Sequence, residues 1–350
     1  MPNGHQHQHP TPPENAPQQR PAQHAHDASP AQVLDLDAEV LAEHLATVTA
    51  WLPVQTAPAE ILDLGAGTGA GSFALLRQFP DARLTAVDSS AAHLDQLRAK
   101  ADTADLGDRV RVVQADLDLA AWPDLGTPDL VWASASLHHL ADPDRALGRV
   151  HDLLAPGGLV AVVELAGLPR FLPATATDER PGLEERCHAA LQQRQGEQMP
   201  HRGADWGPKL TAAGFGHHDR LTVEVDVAGT LDNAVGPYAL AVLQRLRVAA
   251  AHALPVEDLA ALDQLLDPTS PHSVLRRDDL AARTTRTVWA ARRARDDTPV
   301  TATTAGRTAE RAPAGWFSAA VEAANCDRVL GHERHGIDTL LAGGDATTTG

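Results

Sequence analysis

Apolar residues recur at helical steps from Val33 through Val40, Leu41, Leu45, Val48 and Leu52, which predicts an amphipathic helix over 33–52. From Glu60 the pattern changes to short apolar runs separated by helical stretches. Runs at 60–64, 83–88, 110–115, 128–133 and 159–164 predict strands, with helices at 68–79, 90–101 and 142–154 between them. Strand and helix in alternation make an α/β domain with a mainly parallel sheet and helices on both faces, because each parallel return needs a crossover. Beyond Leu165 the register loosens through a Pro-rich stretch at 167–183. Helices are expected near 183–196 and 204–213, the second ending at Gly214, and a strand at 220–227. Two more helices follow, near 234–252 and 256–267. Leu240, Leu243 and Leu246 share a face of the first, and Val256, Leu259, Leu262 and Leu266 a face of the second. The segment Thr284 to Ala291 reads as a last strand, and no internal repeat is visible.

Composition sets the limits of this domain. With 350 residues, 43% of them hydrophobic, the chain has enough apolar surface for one large core. Residues 1–32 are Pro, Gln and His with little to bury and are expected to be disordered; the alternating His5, His7 and His9 have no fixed geometry for a metal. The folded domain is expected over 33–295. The segment 296–350, rich in Thr, Ala and Gly, reads as mostly disordered, with one short helix over 316–330. Acidic residues outnumber basic ones 46 to 29, a formal net charge of −17, so phosphate backbones and anionic membranes are repelled. The two cysteines, Cys187 and Cys326, form neither a disulfide framework nor a metal-ligand spacing, which points to a reducing cytoplasm. The N-terminal stretch has no secretory h-region. The longest apolar run, Leu159 to Leu168, is interrupted by Glu164 and is shorter than the roughly 20 residues of a membrane span.

The densest chemistry lies in Ile61-Leu62-Asp63-Leu64-Gly65-Ala66-Gly67-Thr68-Gly69. An apolar strand runs into three glycines at alternate positions, and a helix follows. Without Cβ atoms the turn can approach a ligand closely, and the helix start offers unpaired N–H groups. Two further acids end the next strands: Asp88, placed to accept from ribose hydroxyls, and Asp116, placed to accept from an adenine amine. Three carboxylates serve a pyrophosphate poorly. They suit a ligand carrying a sulfonium and an ammonium, and so favour S-adenosylmethionine (SAM) over a dinucleotide.

In these motifs the chain resembles the class I SAM-dependent methyltransferases. The resemblance is carried by Ile61 to Gly69, Leu84 to Ser89, Val110 to Leu117, Asp129 to His139 and Leu154-Ala155-Pro156-Gly157-Gly158-Leu159, and it covers about residues 33–293. It implies a Rossmann-like doubly wound sheet of seven strands in the order 3-2-1-4-5-7-6, the last strand antiparallel. It also implies SAM as cofactor. Gly65, Ala66, Gly67, Thr68 and Gly69 would line its methionine and ribose, with Asp63 near the amino group. Asp88 and Ser89 would serve the ribose, Asp116 and Leu117 the adenine, and Ser134 the methionine moiety.

The acceptor should enter past Ala133-Ser134-Ala135-Ser136-Leu137-His138-His139-Leu140. The segment lacks both the Asn/Asp-Pro-Pro-aromatic tetrapeptide of amine methylation on bases or glutamine amides and the Pro-Cys of cytosine C5 enzymes. A small-molecule acceptor is therefore expected. His138 and His139 are the candidate proton acceptors, since imidazole titrates near neutrality, and Glu164 is a further lining candidate. His217 and His218 read as a helix-to-strand turn, and Cys187 alone is too few thiols for arsenite methylation. The helical pair over 234–267 either covers an apolar acceptor, with Trp206 and Tyr238 lining the pocket, or serves packing or a homodimer interface. Two other functions compete: a nicotinamide oxidoreductase, and a SAM binder without turnover. The short-chain Tyr-x-x-x-Lys signature is absent, since Val242 stands where Tyr238 would need its lysine.

Overall fold

A computed structural model of the chain describes residues 29–177, 180–198 and 201–295. The expectations for residues 1–28 and 296–350, including the short helix at 316–330, lie outside the described residues. Two helices come first, α1 (Pro30–Val40) and α2 (Ala42–Trp51). The α/β alternation follows as β1 (Glu60–Leu64), α3 (Ala70–Gln78), β2 (Arg83–Asp88), α4 (Ala91–Thr103), β3 (Val110–Gln114), β4 (Leu130–Ser134), α5 (Pro143–Leu153) and β5 (Leu159–Leu165). The remainder is α6 (Leu183–Gln198), α7 (Trp206–Ala212), β6 (His218–Ala228), α8 (Val235–Ala249), α9 (Val256–Leu266) and β7 (Ala281–Arg292). The strands form one seven-stranded sheet in the order β3-β2-β1-β4-β5-β7-β6. Pairings among β1 to β5 are parallel, and β7 runs antiparallel to both β5 and β6. Strand order reverses between β1 and β4, which opens a crevice beyond their carboxyl ends.

The strands bury both faces, as parallel strands do. On one face Ile61, Leu84, Leu130, Trp132, Ala161 and Val288 pack with Val48 and Leu52 of α2 and Leu75 of α3. On the other, Leu62, Val131, Val160, Val162 and Trp289 pack with Leu147 of α5 and Leu210 of α7. Three helix starts are marked in the sequence, those of α1, α4 and α5: Ser29 Oγ accepts from Gln32 N, Ser90 Oγ from His93 N, and Asp142 Oδ1 from Arg145 N.

The N-terminal segment differs from the single helix expected over 33–52. It breaks at Leu41, which leaves helical geometry at φ −103°, ψ 13°. The two halves have different neighbours: Val33, Leu36 and Val40 join a third core with α6, α8 and α9, while Val48 and Leu52 join the sheet. One straight helix could not reach both. Helix α1 also starts at Pro30, inside the segment expected to be tail.

The helical pair falls between β6 and β7 as expected, and most of its apolar surface is spent on the third core, shared with α1 and α6; Val256, expected on that face, is exposed instead. Leu243 and Leu246 of α8 and Leu262 of α9 lie at 0–2% exposure, beside Phe171, Cys187 and Val274. Asp258, fully buried on α9, ties this cap to the α6 region through Arg180 Nη2 at 2.6 Å and Arg186 Nε at 2.8 Å. Asp258→Ala should lower stability by about 1–2 kcal/mol in a denaturant melt, because two guanidinium groups, each about a third exposed, lose their common partner and are only partly rehydrated. A change under about 0.5 kcal/mol would show that water replaces the carboxylate.

Candidate active site

Four parallel strands bring the expected site residues to one edge. At the tip of β1, Gly65, Gly67 and Gly69 all adopt positive φ, at 73°, 55° and 97°. This left-handed geometry folds the chain back so that Gly65 N and Ala66 N both donate to Val87 O of β2. Asp88, the last residue of β2, then holds the turn from outside: Gly67 N donates to Oδ2 at 2.9 Å and Ser90 N to Oδ1 at 2.8 Å. Ser89 is exposed beside it, with its carbonyl accepting from Gln114 Nε2. Asp116, just past β3, is exposed and accepts from Asp118 N, while Leu117 is buried with its carbonyl held by Trp122 Nε1. Ser134 ends β4, half-buried, and Ala135 follows at φ 51°.

Of the three carboxylates, Asp63 is the buried one. It is 2% exposed beneath the turn, and its Oδ2 accepts from Ser72 Oγ at 2.6 Å. Burial raises its pKa to about 7, helped by the neighbouring Asp88 charge and opposed by the Ser72 bond. Its position in β1 dictates this: alternate residues of a strand face opposite sides, and Asp63 shares a side with Ile61, against α3. Thr68 is also buried and donates to Asp35 Oδ1 of α1 at 2.6 Å.

The histidine pair sits in a short helical turn, Leu137–His139, after β4. His138 is buried, and its Nδ1 lies 2.5 Å from Glu164 Oε2 of β5. His139 is exposed, with ring centroids 4.1 Å apart. Its pKa lies below the ordinary imidazole range, through partial burial first and then the positive potential of His138 and Arg202. Trp206, expected to line a pocket, is instead fully buried in the α5–α7 core. Tyr238 is buried too, with its hydroxyl donating to Asp37 Oδ1 at 2.6 Å. Cys187 is buried with its thiol pushed up to about 12.

Several residues at this edge escaped the sequence reading. Asp35 receives Lys100 Nζ as well as Thr68, and Lys100 also donates to Thr68 O. Asp37 receives both Tyr238 and Arg286 Nη2, at 2.7 Å. Leu34 reaches towards Gly67, so that a Cβ added there would lie 3.1 Å from its Cδ1. Helix α1 therefore spans the glycine turn and the helical cap. Only the scarcity of lysine, two in the chain, could have singled out Lys100. At the opposite end of the strands a cavity of about 300 Å³ is lined by Glu60, Arg83, Asp108, Arg109 and Arg111. The three arginines there donate to the backbone carbonyls of Asp108, Ala82 and Asp124, a structural use.

Comparison with known proteins follows the same geometry. Residues 62–160 match a family described as a methyltransferase domain. A trans-aconitate 2-methyltransferase from Methylobacterium radiotolerans is 37% identical over 117 residues, which is 33% of this chain and 42% of that protein. A demethylmenaquinone methyltransferase from Thermus thermophilus is 34% identical over 119 residues, 34% of this chain and 53% of that protein. The chain thus spans about two-fifths to one half of the length of these relatives. The YcgJ protein of Bacillus subtilis superposes with a TM-score of 0.46 at 15% identity, over 72% of this chain and 99% of that one. Over residues 62–160, from β1 through the glycine turn to the start of β5, the chain is thus similar to a methyltransferase domain.

Proposed function

We propose that the protein transfers the methyl group of SAM to a small-molecule acceptor, with the histidine pair supplying the proton acceptor. The observation that carries this reading is the glycine turn at the β1 tip, with all three glycines at positive φ and the Asp88 carboxylate bonded to its backbone. Its surroundings fit a cation: Asp63 and Asp88 lie close enough for each to feel the other's charge, and Asp116 follows β3, the strand beside β2. Backbone from Gly65 to Gly69 would hold the methionine and ribose, above the buried Asp63. Asp88 and Ser89 would take the ribose, Asp116 and Leu117 the adenine, and Ser134 the methionine end. When bound, SAM supplies a methyl group activated on a sulfonium. The chain's part is to align an acceptor with it and to receive a proton.

The relatives are named for a tricarboxylate and for a quinone precursor, two different kinds of acceptor, and the family match at 62–160 covers the half of the fold that carries the glycine turn. Neither substrate transfers on that basis. The strongly acidic composition argues against nucleic acid. Among the described residues no helix is long and apolar enough to cross a membrane, and we place the protein in the cytoplasm.

Titration calorimetry with SAM and with S-adenosylhomocysteine tests the reading. Micromolar binding is expected, and Asp88→Ala should weaken it about 10- to 100-fold, the worth of one or two hydrogen bonds to a charged group. No heat at millimolar ligand would end the proposal. Binding without product from labelled SAM and a cell extract would leave a SAM-holding protein.

A further inference from the structure

Glu164 is an acid at a position where the strand pattern calls for an apolar residue. It continues the Val160 and Val162 side of β5, which faces the α5–α7 core, and is only 3% exposed. A lone carboxylate there would cost several kcal/mol. Two bonds offset that cost, and both go to one residue: His138 N donates to Oε1 at 3.3 Å, and His138 Nδ1 meets Oε2 at 2.5 Å. One carboxylate thus fixes both the backbone and the ring of His138. The other charged or titratable groups that act on Glu164 are His139 from the same turn, Arg202 from the segment before α7, and Arg286 from β7. An apolar pair would join β5 to this turn at lower cost, so the acid needs a further reason.

We infer that His138 is the base of the reaction and Glu164 the positioning residue that sets its tautomer; this rests on the methyl-transfer reading above. With Nδ1–H donating to Oε2, the neutral ring keeps its lone pair on Nε2, and Glu164 offsets the charge the ring gains on accepting a proton. The acceptor's proton goes to Nε2. The electron pair it leaves forms the bond to the methyl carbon, and sulfur keeps the pair of the bond that breaks. This chemistry fits an acceptor that arrives with a proton to lose before it attacks: an alcohol, a phenol or a protonated amine. A carboxylate attacks as an anion and gives such a pair nothing to do.

The test reads the ring directly. In the ¹⁵N-labelled full chain at pH 9, the His138 signals, assigned by their loss in His138→Gln, should report a proton on Nδ1. Glu164→Ala should release the ring towards the Nε2–H form. Glu164→Gln preserves volume and should bind SAM as the wild type does, while turnover of catechol or a primary amine falls about 10- to 100-fold and Glu164→Asp recovers part of it. A wild-type ring protonated on Nε2 would overturn the inference, as would turnover confined to a tricarboxylate probe and unchanged by Glu164→Gln. A wild type that fails to bind SAM removes the methyl-transfer reading instead, and calorimetry tells the two failures apart.

Discussion

Replacing Asp63 with asparagine is expected to raise stability at pH 8 while weakening the hold on SAM. The folded protein gives this carboxyl a pKa of about 7 against an ordinary 3.8, because burial under the glycine turn and the nearby Asp88 disfavour its charge. Between pH 4 and 7 the folded chain therefore binds more protons than the unfolded chain, and stability falls as pH rises through that window. Above pH 7 the full cost is present, about 4 kcal/mol, whereas at pH 4.5 it is about 1 kcal/mol. Asparagine does not titrate and can still accept from Ser72 Oγ. The melting temperature of Asp63→Asn should exceed that of the wild type by about 5–10 °C at pH 8, with most of the gap gone at pH 4.5. Equal melting temperatures at pH 8 would show that the ionised carboxylate is better solvated than its 2% exposure implies. A cost of this size in a fold's centre is consistent with a role in ligand binding, since a site for a cation needs negative potential.

Gly65→Ala should be the most damaging single change in the turn. Its φ of +73° strains any L side chain, and an added Cβ would lie 2.4 Å from Ser136 Cβ and 3.1 Å from Ser136 Oγ. Left-handed strain of about 1 kcal/mol and overpacking of about 1–3 kcal/mol add to a loss of about 3 kcal/mol. Ser136 cannot yield freely, because its hydroxyl donates to Leu64 O at 2.8 Å and its backbone starts the turn that carries His138. Denaturant unfolding of the single variants and of Gly65→Ala with Ser136→Gly would divide the two causes. The double variant should recover the steric part and keep the strain, since the next atom, Ser136 Cα, is 3.7 Å away. No recovery would place the whole effect in the backbone.

How far each feature could be read in advance follows from the distance over which it is decided. The alternation of strand and helix from Glu60 to Leu165 is local periodicity, and those elements fall within two residues of expectation. Sheet order came from the resemblance, since periodicity does not say which strands are neighbours. Glu164 could be seen because an acid interrupts an apolar strand; its partner, 26 residues earlier, could not. The break at Leu41 has no Gly or Pro to announce it and is imposed by two separate packing partners. Trp206 shows the converse, because a large aromatic near a presumed pocket fits equally well in a core, and the position of α7 against β7 decides it. Asp35, Asp37, Lys100 and Arg286 look like ordinary surface charges until contacts spanning 32 to 249 residues bring them together.

The double anchorage of α1 bears on how the protein should be trimmed. A shortened version designed from the family match would begin near residue 62 and discard the Asp35 and Asp37 side chains. Thr68, Lys100, Tyr238 and Arg286 would each lose an acidic partner, and Leu34 would no longer cover the bend at Gly67. Recombinant work on this protein should therefore keep the chain from Ser29 onward, whose hydroxyl starts the helix, and treat α1 as part of the folded domain.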